Sequence, residues 1–137
     1  MNRAERYRQK MNFIITKLES IPASRKTNIE VNATLYCVQV AIDAAMGIIA
    51  MLVKDIGHDV SDDYHNINIL VKEKVISEVI GEDLRRFNGL RNAIVHKYNA
   101  FEEESVLKHV PTIKNSLEKF LNNVETKLNA IIKKNKK

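Results

Sequence analysis

Apolar residues recur every three or four positions along most of this chain, which is the spacing of one face of an α-helix. Two stripes are long and regular. The first comprises Leu35, Val38, Ile42, Ala45, Ile49 and Leu52. The second comprises Val106, Val110, Ile113, Leu117, Phe120, Val124, Leu128 and Ile131. No strand is indicated, so the pattern predicts an all-α protein.

Start and stop signals divide the chain into five predicted helices. In chain order they cover Ala4–Ser20, Asn28–Lys54, a short segment that follows Ser61 and ends near Lys74, a segment from Ser77 to Tyr98, and Glu102–Lys133. Ser61 and Ser77 are the predicted N-caps of the third and fourth helices. Gly57 is the predicted stop of the second helix. We expect the five helices to pack as an antiparallel bundle.

Two residues interrupt the helical pattern. Pro111 lacks an amide hydrogen and should kink the fifth helix or divide it in two. Gly47 lies inside the second helix, where glycine costs about 1 kcal/mol relative to alanine. We expect Gly47 to allow a close crossing with a neighbouring helix.

The composition is typical of a globular protein. At 137 residues the chain is expected to form a single domain over residues 1–137. Its one cysteine, Cys37, cannot form an intrachain disulfide, which favours a reducing, cytoplasmic setting. Cys37 falls in a helical stretch and is predicted to be a core residue. The longest apolar run, residues 44–53, is too short to span a bilayer and predicts a buried helix.

The formal net charge is +5, which is compatible with an anionic partner such as RNA. Part of this excess lies in a basic tail, residues 133–137, where lysines also complement the dipole of a helix C-terminus.

Most other polar clusters have a structural explanation. The group His58, Asp59, Asp62, Asp63 and His65 lacks a dependable metal-ligand spacing. Acidic residues at the start of a helix explain it better, and no metal site is predicted. His109, near Pro111, is expected at the surface.

The segment from Arg91 to Tyr98 carries the most informative chemistry. On a regular helix Arg91 falls near the middle of the apolar stripe of the fourth helix, where an arginine is costly to bury unless it is paired. Asp43 lies among apolar residues and is a possible partner, although its carboxylate could instead reach solvent. Arg91 binds phosphate well through its planar guanidinium, and His96 exchanges protons near neutral pH.

Helix geometry separates these two side chains. Arg91 and His96 point about 140° apart on an ideal helix, whereas Asn92 and His96 are neighbours. For both to act on one phosphate, the helix must loosen, Arg91 must reach around it, or a second chain of a symmetric dimer must supply the same groups.

The run Arg-Asn-x-x-x-His-x-Tyr, formed by Arg91, Asn92, His96 and Tyr98, resembles the Arg-x4-His-x-Tyr motif of HepT-like toxins in the HEPN superfamily. The likeness extends to the Ile-Asp stretch within residues 41–45 and to the layout of residues 60–64 and 75–77. It covers roughly residues 4–130, and the sequence departs from the family pattern at Gly89 and Pro111.

This resemblance implies an all-helical, HEPN-like homodimer with the motif in a cleft at the dimer interface. It implies a toxin that acts as an endoribonuclease without metal or cofactor, with Arg91 and His96 catalytic and Asn92 supporting. It also implies a partner, a minimal nucleotidyltransferase antitoxin, which transfers AMP to Tyr98 and silences the toxin. No membrane partner is expected.

Two other functions stay open at this point. One is a non-catalytic HEPN subunit that binds nucleotide or RNA for a partner nucleotidyltransferase. The other is a purely structural helical dimer, in which Arg91 is an ion-pair partner and Tyr98 a core residue. RNA cleavage that disappears when His96 is replaced separates the enzyme from both.

Overall fold

The computed structural model describes residues 2–96 and 100–135, and within them every regular element is an α-helix. In chain order the helices are α1 (Arg3–Glu19), α2 (Asn28–Asp55), α3 (Asp63–Lys72), α4 (Glu78–His96), α5 (Ala100–Lys108) and α6 (Val110–Asn135). The all-α prediction is confirmed, with six helices in the described residues where five were expected.

The fifth predicted helix is divided in two near Pro111, which is one of the two predicted outcomes and accounts for the sixth helix. α5 ends at Lys108 and α6 begins at Val110, so His109 is the junction between them. Proline is tolerated in the first turn of α6 because an amide there needs no partner within the helix. The backbone carbonyl of His109 accepts the amide of Ile113 at 2.9 Å. His109, which was expected at the surface, is half-buried.

Local capping sets most of the helix boundaries. Thr27 and Glu30 form a capping box at the start of α2, and the Ser77 hydroxyl accepts the amide of Ile80 at 3.2 Å, as predicted. The prediction of Ser61 as the cap of α3 is wrong by one residue. The Asp62 carboxylate caps α3 instead.

The reason for this shift is visible in two hydrogen bonds. Asp62 accepts the amide of His65 at 2.8 Å. The amide of Ser61 donates to the side-chain oxygen of Asn66 at 2.9 Å, which ties the preceding loop back onto the helix. At the other end α3 stops at Lys72, and Lys74, where it was expected to end, has a left-handed backbone (φ 60°).

α2 is the central helix of the fold and contacts each of the other five described helices. Its buried residues include Cys37, as predicted, together with Val38, Ala41, Ile42, Ala45, Ile48, Ile49 and Leu52. By length and composition α2 could also cross a membrane, although a buried core helix meets the same criterion. Just over half of its most apolar stretch is buried within the fold, at 56%.

A polar cluster links the start of α1 to the end of α2. The hydroxyl of the buried Tyr7 donates to Asp55 at 2.5 Å, and Arg3 donates to the same carboxylate oxygen at 2.9 Å. Burial and the adjacent carboxylate raise the pKa of Tyr7 above its ordinary value. This tyrosine therefore stays protonated and stabilises the packing of α1 on α2.

The glycine that permits a tight helix contact is Gly81, not Gly47. A Cβ at Gly47 would meet only the Lys10 ammonium at 3.7 Å, an ordinary contact, so the predicted close crossing there is wrong. A Cβ at Gly81 would lie 2.5 Å from a methyl group of Val71. The close approach is therefore between α3 and α4, and it fixes how α3 lies along the helix that carries the motif.

Candidate functional site

α4 is anchored by a buried row and presents its polar residues at its C-terminal end. Ile80, Leu84 and Phe87 are buried in the common core. Arg91 and Asn92 are half-buried in the last turns, and His96 is exposed at the last described residue of the helix. The motif thus lies where the helix passes from the core to the surface.

Arg91 is paired with Asp43 of α2. Its Nε donates to an Asp43 carboxylate oxygen in a short, part-buried hydrogen bond. Its Nη1 donates to the side-chain oxygen of Asn92 at 3.0 Å. The Arg91–Asp43 pair, which the sequence left open, is therefore formed. It explains how an arginine is accommodated near an apolar stripe.

Asp43 and Asn92 together fix the plane of the guanidinium. Among the residues that the structure describes, Arg91 donates only from Nε and Nη1. The Arg91 side chain is 30% exposed and that of Asp43 is 40% exposed. The guanidinium is thus oriented by protein groups and retains an edge that an anion from solvent can approach.

His96 lies on a different side of α4 from this pair. Five positions along a regular helix correspond to a rotation of about 140°, and Arg91 faces Asp43 on α2 whereas His96 is exposed. Asn92, four residues before His96, lies on the His96 side and also binds Arg91. Tyr98, the fourth predicted site residue, lies outside the described residues.

Residues of α3 flank the N-terminal part of the same face of α4. Arg85 donates from Nη2 and Nε to the side-chain oxygen of Asn68, at 2.6 and 3.0 Å. Its Nη1 also contacts Glu78 at 3.3 Å. On a regular helix Arg85 falls on the side of Asn92 and His96, and nothing in the sequence indicated that Asn68 holds it.

A shallow cavity of about 550 Å³ opens between α1 and α2 and includes Asp43 in its lining. Its walls are mostly apolar and are formed by Gln9, Lys10, Phe13, Val40, Asp43 and Ala44. The Asp43–Arg91 pair therefore borders an accessible apolar surface of the chain.

Two of the acidic and histidine residues around α3 have structural partners. Asp62 caps the helix, and His58 contacts Glu73 at 3.1 Å. Within residues 2–96 and 100–135 no group of three or more His, Cys, Asp or Glu side chains is arranged to hold a metal ion.

Comparison with known proteins identifies the family of this chain and proteins of the same fold. The family model described as Ribonuclease HepT-like matches residues 6–124. A candidate RNase of Archaeoglobus fulgidus is 44% identical over 129 residues, which is 94% of this chain and 98% of that protein.

Solved structures show the same fold at low sequence identity. The AMPylated HEPN toxin of Shewanella oneidensis, solved in complex with its MNT antitoxin, superposes with a TM-score of 0.79 at 18% identity. That match covers 92% of this chain and 99% of the toxin chain. YutE, a cytosolic Bacillus subtilis protein of unknown function, gives a TM-score of 0.82 at 17% identity, covering 92% and 90% of the two chains.

Proposed function

Because this chain belongs to the Ribonuclease HepT-like family, we propose that it is the toxin of a toxin–antitoxin pair and a metal-independent endoribonuclease. The observation that carries the proposal is the arrangement at the end of α4. Arg91 is held by Asp43 and Asn92 with part of its guanidinium exposed, and His96 is exposed on the same helix end.

These two residues match the requirements of RNA cleavage without a metal. The 2′-oxygen attacks the adjacent phosphorus, the bond to the 5′-oxygen breaks, and the product carries a 2′,3′-cyclic phosphate. His96 accepts the proton of the 2′-hydroxyl, and the His96 of a second copy protonates the leaving 5′-oxygen. Arg91 stabilises the charge that develops on the phosphoryl oxygens, and Asn92 keeps its guanidinium in place.

The complete site requires two chains in this proposal. One chain holds Arg91 and His96 on different sides of α4, so a second copy that meets the first at this helix end would supply the complementary group. Two exposed apolar features lie near the Arg91–Asp43 pair along the chain or in the fold. Val95 is 39% exposed, four residues after Arg91, and the cavity lined by Phe13 and Val40 also includes Asp43.

We expect the protein to sediment as a dimer at micromolar concentration, and Val95→Asp to convert it to a monomer. A carboxylate at Val95 would be desolvated between two copies without a partner, which is costly. The matched control is Val79→Asp, at an exposed valine (68%) in the first turn of the same helix, which should leave the dimer intact. A monomeric parent protein, or dimers in both variants, would contradict this interface.

We further expect the purified protein to cut single-stranded RNA equally well with and without EDTA. Mass spectrometry of the 5′ fragment should show a 3′ end lighter by one water than a linear monophosphate, as expected for a 2′,3′-cyclic phosphate. Activity that EDTA removes and Mg²⁺ restores would reject the mechanism. RNA binding without cleavage would favour the non-catalytic HEPN subunit.

The proposed partner is a minimal nucleotidyltransferase antitoxin, and the proposed location is the cytoplasm. The structural relative in complex with an MNT antitoxin is AMPylated, which supports a covalent mode of silencing for this chain as well. The proposed acceptor is Tyr98.

A further inference from the structure

α3 and α4 lie close together at three points along their length, which we call the α3–α4 ladder. Near the N-terminus of α4, Val71 packs on Gly81, where a Cβ would lie 2.5 Å from the valine methyl. In the middle Asn68 accepts both hydrogen bonds from Arg85, at 2.6 and 3.0 Å. Towards the C-terminus of α4, the Tyr64 hydroxyl lies 4.0 Å from the position that a Cβ of Gly89 would occupy.

At the Gly89 end of this ladder, α3 leaves the surface of α4 uncovered. α3 begins at Asp63, so Tyr64 is in its first turn and α3 supplies no residue further along α4 in that direction. Tyr64 is 42% exposed, and Gly89 has no side chain to cover the surface of α4 beside it. The ring of Tyr64 therefore borders a gap on the surface of α4.

This gap lies on the same face of α4 as His96. At about 100° per residue, Gly89, Asn92 and His96 fall within an arc of roughly 60°. Gly89 lies seven residues before His96, or about 10 Å along the helix axis. A nucleotide chain with its phosphate at His96 would thus pass over Gly89 and reach Tyr64.

We propose that Tyr64 and the open surface of Gly89 form a base-binding subsite, in which Tyr64 stacks on a base of single-stranded RNA close to the cleaved bond. The inference rests on the proposed RNase function and identifies the form of its substrate. An aromatic ring at a groove can stack on any base, which favours unpaired RNA over a duplex, whose bases are covered.

Arg85 adds a second contact to this subsite. Its guanidinium is held by Asn68, and its side chain is 27% exposed. Glu78 balances part of its charge at 3.3 Å. Stacking on Tyr64, more than charge at Arg85, is therefore expected to dominate the affinity of the subsite.

The test measures binding of a fluorescent single-stranded RNA oligonucleotide to the full chain in a His96→Ala background, so that cleavage does not interfere. Tyr64→Ala should weaken binding by about 5- to 150-fold, the range for loss of one stacked base. Tyr64→Phe should bind as the parent does, because stacking needs the ring and not the hydroxyl. Tyr36→Ala, at an exposed tyrosine on α2, is the matched control and should change nothing.

An abasic oligonucleotide identifies the contact. Moving one abasic position along the RNA should reveal a site where the parent loses affinity by the same factor. Tyr64→Ala should lose nothing further there, because the ring and the base are then removed from the same interaction.

Gly89→Leu provides a test that is independent of Tyr64. Leucine favours a helix more than glycine does, so the melting temperature should stay the same or rise. Its side chain should fill the gap and weaken RNA binding as Tyr64→Ala does. Loss of binding in a protein that is no less stable cannot be attributed to unfolding.

The outcomes separate this inference from the function on which it rests. Parental protein that neither binds nor cuts RNA would reject the RNase proposal, and the subsite with it. RNA that is cut, but bound equally well by the parent, Tyr64→Ala and Gly89→Leu, would reject the subsite alone. A Tyr64→Ala protein with a changed sedimentation coefficient would assign Tyr64 to a subunit interface and overturn its role in RNA binding.

Discussion

Replacement of His96 by alanine is expected to lower RNA cleavage by about 10²–10⁴-fold, the usual contribution of a general acid or base. His96 is exposed at the end of α4 and lies outside the buried core, so its replacement should leave the fold intact. Circular dichroism and the melting temperature should therefore match the parent while single-turnover cleavage is lost. His96→Ala protein that cuts RNA at the parental rate would remove His96 from the mechanism.

Arg91→Ala is the informative comparison. Arg91 forms an ion pair with Asp43, whereas His96 is exposed at the end of α4. Breaking a fully buried ion pair costs about 3–5 kcal/mol. The Arg91 and Asp43 side chains are 30% and 40% exposed, so solvent screens the pair and hydrates the orphaned Asp43. We expect a stability loss of about 1 kcal/mol, nearer to that of an exposed pair, together with complete loss of cleavage.

Asp43→Asn tests the role of the carboxylate separately. An amide at this position keeps an oxygen that accepts the Nε–H of Arg91 but removes the charge. If Asp43 acts only by positioning Arg91, this variant should cut RNA much better than Arg91→Ala. Equal loss in both variants would show that the charge of Asp43 is itself required.

The helices could be predicted from the sequence because each depends on local information. The apolar stripe of α2 and the break at Pro111 follow from side-chain periodicity and from the missing amide of proline. The cap of α3 was misplaced because Ser61 and Asp62 are both good caps in isolation. The choice depends on Asn66, five residues further on, which binds the backbone of Ser61.

Contacts between helices were harder to predict than the helices themselves. The sequence identified Asp43 as a possible partner of Arg91 but could not decide whether its carboxylate reaches solvent, because that depends on how α2 and α4 are placed against each other. Likewise Gly47 and Gly81 are equivalent in a pattern of helical positions. Gly81 is the tight contact only because Val71 lies against it. This contact in turn aligns α3 along α4.

The proximity of Tyr64 to Gly89 has the same origin. The two residues are far apart in the chain, and neither periodicity nor motif spacing relates them. Their contact follows from the antiparallel packing of α3 on α4 that the Val71–Gly81 and Asn68–Arg85 contacts establish. The sequence therefore indicated Arg91 and His96 as candidate catalytic residues, but not the surface that we propose binds the substrate.

Co-expression with the cognate nucleotidyltransferase is expected to add AMP to Tyr98 and to abolish RNA cleavage. Tyr98 lies outside the described residues, and the expectation rests on sequence spacing. Seven residues bring a regular helix back to within about 20° of its starting direction, so a helix that continues past His96 would direct Tyr98 to the side of Arg91. A phosphoester on the tyrosine would then place negative charge beside the guanidinium and block the approach of RNA phosphate.

Tyr98→Phe distinguishes covalent silencing from simple occlusion by the partner. The phenol takes no part in the proposed proton transfers, so this variant should cut RNA as the parent does. It should also gain no mass on co-expression and escape silencing. The matched control is Tyr36→Phe on α2, which should be modified at Tyr98 and silenced like the parent. If Tyr98→Phe is silenced as fully as the parent, the partner inhibits by covering the site, and Tyr98 is not the switch.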